Sequence, residues 1–167
     1  MKKIATIAAI AAAFTSSSAF AQALDDNQAQ GSATAEVVAP ITLTHVQDAE
    51  LSFGTFTAGA GGTVVVTRAG AGSATGGVVL LSGSQETADQ FTVAGDSDRA
   101  FTISVNDGVI THTDGQTTMS FAADAPTAGT LSGTGAANFS VGGTLTVGAN
   151  QRPGDYSGTY LVEVAYN

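Results

Sequence analysis

Apolar residues in this chain recur at every second position, in short runs cut off by glycine, aspartate or asparagine, and never sustain the helical period of about 3.6. Side chains two apart on an extended backbone share one face, so each run offers a strand with one apolar side. Many such runs at close spacing are the signature of an all-β sandwich or barrel, and a two-layer antiparallel β-sandwich is the fold expected. Residues 33–44 form the first run, with Ala35, Val37, Ala39, Ile41 and Leu43 in one phase. Pro40 lies inside it and donates no hydrogen bond, so this strand is expected at an edge, or to break and change sheets. Residues 51–56, 63–67 and 78–81 read as further strands, and glycine-rich residues 69–77 as a flexible loop. Residues 90–94 and 100–105 flank a polar turn, and Asn106-Asp107-Gly108 reads as a hairpin turn, because Asp-Gly suits positive φ. Residues 118–122 form a strand and residues 124–135 a loop of small residues. Phe139, Val141, Leu145 and Val147 keep one phase across Gly142-Gly143, as one continuous strand or, alternatively, a hairpin. Residues 156–166 are the last strand. Phe53, Phe56, Phe91, Phe101, Phe121 and Phe139 are the expected core.

The first residues follow a different logic. Lys2 and Lys3 precede an apolar stretch over residues 4–14, then Ser16 to Ser18 and Ala19-Phe20-Ala21. Charge, a short apolar run and a small-x-small site predict a signal peptide over residues 1–21, cleaved after Ala21. The run is shorter than the roughly 20 residues a membrane span needs. Residues 22–32 are polar and read as a flexible extension, leaving one domain over residues 33–167. The chain is therefore expected in the periplasm, at the cell surface or outside the cell, with no membrane insertion after cleavage. Cleavage would leave three arginines against fourteen acids, a balance that disfavours nucleic acid and anionic lipid. With no cysteine, the fold depends on its core alone.

Catalytic patterns are missing. There is no Gly-x-Ser-x-Gly, and residues 70–77 lack the lysine and the following helix of a phosphate loop. His45 and His112, the only histidines, read as strand-surface residues. Asp89, Asp96 and Asp98 raise the question of calcium, although the full oxygen-rich loop pattern is absent. Asn138-Phe139-Ser140 matches a glycosylation sequon, read as a chance match. The chain is expected to be no enzyme and to use no cofactor.

The C-terminal run is the most informative. Tyr160, Val162, Val164 and Tyr166 alternate with Leu161, Glu163 and Ala165, Tyr166 is next to last, and Gly154 is fourteenth from the end. This resembles the terminal strand of chaperone–usher pilins, which end on alternating apolar residues with a penultimate tyrosine and a glycine at that distance. The resemblance implies a strand-addition edge, with Gly154, Tyr160, Val162, Val164 and Tyr166 as its residues. Such pilins usually carry a disulfide and an alternating N-terminal extension. This chain has no cysteine, residues 22–32 are polar, and alternation starts only at Ala33. The stretches around Ala33 to Pro40, Leu51-Ser52-Phe53-Gly54, Phe139 to Val147 and Gly154 to Tyr160 also resemble domain-of-unknown-function family 4402, an uncharacterised bacterial secreted family. That resemblance implies an immunoglobulin-like sandwich with no assigned activity. The expected function is an exported structural or assembly protein of the cell surface, a fimbria- or pilus-like subunit. Its partners would be copies of itself or a periplasmic chaperone. The alternative is a stand-alone secreted module binding a carbohydrate or a protein.

Overall fold

The computed structural model describes residues 28–167; the signal-peptide reading lies outside them. Among these residues every regular element is a strand, and every ladder is antiparallel. In chain order the strands are β1 (Thr42–His45), β2 (Ser52–Phe53), β3 (Phe56–Thr57), β4 (Gly62–Val66), β5 (Gly72–Gly76), β6 (Val79–Leu80), β7 (Glu86–Thr87) and β8 (Asp89–Ala94). There follow β9 (Ala100–Val105), β10 (Gly108–His112), β11 (Thr118–Asp124), β12 (Ala128–Thr130), β13 (Ala136–Val147), β14 (Tyr156–Ser157) and β15 (Val162–Tyr166).

β13 organises the molecule. Its residues 136–141 pair with β8, then residues 142–147 pair with β11 and β4, so one strand serves both halves of an eight-stranded sheet running β1-β8-β13-β11-β10-β14. A Cβ on Gly142 would strike the carbonyl of Val66, so glycine is required where the ladder changes partner. Over the β8 half lies a three-stranded sheet, β12-β9-β15. Phe91, Val93, Phe139 and Val141 meet Phe101, Ile103 and Leu131 there in one core. Over the other half lie the short ladders β2–β7 and β3–β6. There Phe53 and Val78 close a second core on Val64, Val66, Met119, Phe121, Leu145 and Val147. The result is the two-layer antiparallel sandwich that the alternation predicts. Phe56 is half-buried at the margin, and the other five expected phenylalanines are buried.

Several local expectations are corrected. The first strand is at an edge, as expected, but its pairing starts at Thr42, so Pro40 precedes the ladder instead of interrupting it. Residues 51–56 hold two short strands, broken where Gly54 takes φ 69°. The glycine-rich stretch is no free loop: β5 closes a hairpin on β4, with Gly70 at φ 80° in the turn. The small-residue stretch likewise supplies β12, on the edge of β9. Asn106-Asp107-Gly108 makes no hairpin, because β9 and β10 belong to different sheets. Asp107 accepts a hydrogen bond from the Ala123 amide at 3.2 Å, and Gly108 leaves room for the Phe121 ring, which fixes a crossing in place of a turn. The last run is also two strands: β14 pairs with β10 in the large sheet, and β15 pairs with β9 in the small one.

Candidate assembly edge

β1 ends the large sheet and β15 ends the small one, each paired on one side only. The direction of their free backbone groups follows from the ladders. Asn106 donates to the Leu161 carbonyl at 3.0 Å, and Asn167 donates to Ala100 at 3.3 Å. In an antiparallel pair the bonded residues alternate, so Val162, Val164 and Tyr166 turn N–H and C=O away from β9. Val46 donates to Gln90 at 2.9 Å, so by the same alternation Leu43 and His45 turn theirs away from β8. Between the two edges runs a groove of about 440 Å³, lined by Ile41 and Leu43, by Thr102 and Ser104 of β9, and by Val162, Glu163, Val164 and Ala165. Ile41, Leu43, Val162, Val164 and Tyr166 are half-buried against the β8–β9 core, which is thus left partly open on this side. Residues 37–40 lie outside every ladder and are exposed, Val37 to 95%.

The five residues that the terminal pattern singles out separate in space. Val162 and Val164 line the groove. Tyr166 ends the same strand, but its hydroxyl is engaged, accepting from the Asp96 amide at 2.6 Å and donating to the Ala39 carbonyl at 2.9 Å. Tyr160 precedes β15 and plugs the junction of the two cores, its ring 5.8 Å from Phe121 and 6.5 Å from Phe91. Gly154 lies before β14 at φ 143°, where a side chain would strike the His112 imidazole, so its role is local packing.

His112 is buried, against the expectation of a surface residue. Its Nδ1 accepts from the Asp114 amide at 2.9 Å, which leaves Nε2 to donate to Pro153 at 3.2 Å and fixes the neutral tautomer. Asp114 accepts from the Thr117 and Gln116 amides, and those bonds hold its carboxyl well below the usual range.

A second feature joins residues far apart in sequence. Asp89, buried at 5% exposure, receives His45 Nε2 at 2.6 Å on one oxygen and the Tyr160 hydroxyl at 2.7 Å on the other. Its own neighbour Gln90 adds an amide at 2.8 Å. Burial, and then the bond to Asp89, push the Tyr160 phenol far above its ordinary value. The three residues border a cavity of about 560 Å³ that also reaches Glu50, Ser52, Phe53, Phe121 and Tyr156. No local signal announces this cluster, since its members lie 44 and 71 positions apart. It also draws Asp89 away from Asp96, another of the candidate calcium ligands. Asp89 opens β8, whereas Asp96 lies beyond its other end and pairs with Arg99 at 2.7 Å. Among the described residues no group of three histidine, aspartate or glutamate side chains is placed to hold a metal ion.

Residues 41–166 match the model of one family, a domain of unknown function (DUF4402). No curated protein and no solved structure matches the chain.

Proposed function

The chain belongs to the DUF4402 family, and from that premise we propose that it is an exported structural subunit of the bacterial surface, assembled by strand addition at the edge formed by β15 and β1. The observation that carries this reading is the pair of facing free edges over a partly open core. An added strand would satisfy outward N–H and C=O groups and bury apolar side chains in one step. The N-terminal signal pattern supports export, and the sequence offers no catalytic motif that would favour an enzyme instead.

The Asp89 cavity favours a second reading, a stand-alone binding module for a sugar or a protein segment, because aromatic and polar groups share its wall. Yet both oxygens of Asp89 already have partners within the chain. That arrangement suits a clamp between the two cores better than a vacant recognition group.

Val164→Pro tests the assembly reading. Proline is tolerated on an edge strand where its missing N–H would have faced outward, and Val164 has that orientation. The expected result is a folded protein, melting within a few degrees of wild type, that no longer forms assemblies in size-exclusion chromatography or fibres on cells. Val162→Pro, with the same orientation, repeats the test at a second position. Wild-type levels of assembly in both folded variants would refute strand addition at β15.

A further inference from the structure

We infer that β5 is a second contact edge, at which two copies of this chain pair antiparallel about a two-fold axis at Ala74 and join their large sheets into one. The contact is separate from the β15 edge and goes beyond the proposed subunit role, because it links copies side by side.

The backbone sets the register. β5 pairs only with β4, so its other side is free. One step beyond the Val66–Gly72 pair, Thr67 donates to the Ala71 carbonyl at 2.9 Å. Bonded residues alternate in an antiparallel pair, so Ser73 and Thr75 bond to β4, while Gly72 and Ala74 turn N–H and C=O outward. A two-fold axis in such a pair sets one residue opposite itself. Centred on Ala74, it lets each Ala74 both donate to and accept from the other. Gly72 then meets Gly76 and Ser73 meets Thr75, because Gly-Ser-Ala-Thr-Gly reads nearly the same in both directions. Serine and threonine come closest at a pair of that kind, near enough for their hydroxyls to bond. The centre of the sequence symmetry is thus a residue whose backbone groups are free. Gly76 takes φ 68° and ends the segment.

This edge lacks the usual protection. Proteins blunt a free edge with charge, proline or a very short strand. β14 and β12 are two and three residues long. β5 has five residues, none charged and none proline, and all but Ala74 are exposed. Ala74 instead packs inward on the core. Charge is withdrawn from the whole large sheet. Its strands hold two charged residues, Asp89, which is buried, and Asp124, which Arg68 pairs at 3.1 Å. The acid packed against β5, Glu86 of β7, lies under Gly72 with one carboxylate oxygen buried. Two acidic copies can therefore meet here without setting like charge against like. β6 lies against β5, and Val79 and the following Leu81 are 61% and 45% exposed. A second copy at β5 stands beside them, so apolar burial adds to the backbone bonds. One strand pair makes a small interface, weak between free copies. It gains strength where copies already joined at β15 hold many such edges close together.

The test uses the full chain carrying Val164→Pro, which closes the β15 edge, so that the two contacts are read apart. Sedimentation over a concentration series should show monomer and dimer in equilibrium. Adding Ser73→Glu and Thr75→Glu, both at exposed positions, should leave the melting temperature within a few degrees. It should weaken the dimer by about tenfold or more, because the register sets these positions against each other. The chain has no cysteine, so cross-linking gives a second measurement. A tagged Ser73→Cys chain mixed with an untagged Thr75→Cys chain should form a disulfide-linked pair under mild oxidation. Either variant alone should not, since its thiols then lie diagonal to each other and too far apart. The mixed cross-link together with loss of the dimer in the doubly substituted chain supports the inference. Failure of either result overturns pairing at β5, as does a chain that stays monomeric throughout, or a host protein cross-linked to Ser73→Cys in place of the second copy. The β15 edge is judged separately, by whether Val164→Pro alone abolishes fibres.

Discussion

The Tyr160 hydroxyl lies 2.7 Å from a carboxylate oxygen of Asp89, while its ring touches aromatics of both cores. A neutral phenol can donate to that carboxylate; a phenolate would face it with like charge. Burial and Asp89 therefore raise the ionisation of Tyr160 in the folded state above its value near 10 in the unfolded chain. A raised value of this kind contributes stability that is fully present below pH 10 and is lost as pH rises beyond it. Tyr160→Phe keeps the ring and removes the bond. It should cost about 1 kcal/mol at pH 7, a modest figure because the residue is half-buried. The variant should also escape the alkaline loss, so the two stabilities converge above pH 10. Urea melts at pH 7 and pH 11 measure this, and a constant gap between the two proteins would show that Tyr160 titrates as in the unfolded chain. Gly154 teaches a different lesson at the same scale. Its spacing from the C-terminus resembles a pilin feature, yet the structure explains it by the His112 ring, which leaves no room for a side chain.

Among the elements, β13 carries the most connectivity, with β8 on its first half and both β4 and β11 on its second. Gly142 marks the change of partner, and its missing Cβ lets the Val66 carbonyl approach. Gly142→Ala should destabilise by about 1–3 kcal/mol, the usual cost of forced overpacking. Thr146→Ala, at an exposed site on the same strand, should stay within about 0.5 kcal/mol. Equal denaturation midpoints for the two variants would mean that the crossing tolerates a methyl group. The continuity of β13 was legible because Phe139, Val141, Leu145 and Val147 hold one phase through the glycines. β5 was not legible. Its Ser73, Ala74 and Thr75 carry little apolar signal, and the hairpin with the valine-rich β4 decides their conformation. Asn106-Asp107-Gly108 was misleading for the converse reason: the dipeptide permits a tight turn, but the chain there passes from one sheet to the other, and Gly108 serves the Phe121 ring. The edge valines were legible from alternation, whereas the Asp89 cluster depends on tertiary folding and left no mark on local sequence.

At the scale of the whole molecule, charge and assembly pull against each other. Once the signal segment is cleaved, as export requires, the chain would carry fourteen acids against three arginines, and every copy would repel the next. The proposed edge supplies no positive charge to offset this: Ile41, Leu43, Val162, Val164 and the acidic Glu163 line its groove, so an added strand would join by apolar burial and backbone bonds. Its attraction is apolar burial and hydrogen bonding, which salt does not weaken. Repulsion between copies is long-ranged at low ionic strength and is screened beyond about 8 Å at 0.15 M. Assembly should therefore strengthen as sodium chloride rises from about 0.01 M, where the screening length is about 30 Å, to about 0.15 M, and level off above that. Sedimentation of the purified chain across that series, at fixed protein concentration and pH 7, gives the measurement. A charge-paired interface would respond in the opposite sense and dissociate as salt is added. Dissociation with salt would thus contradict the apolar groove as the joining surface, even if the chain were found to polymerise.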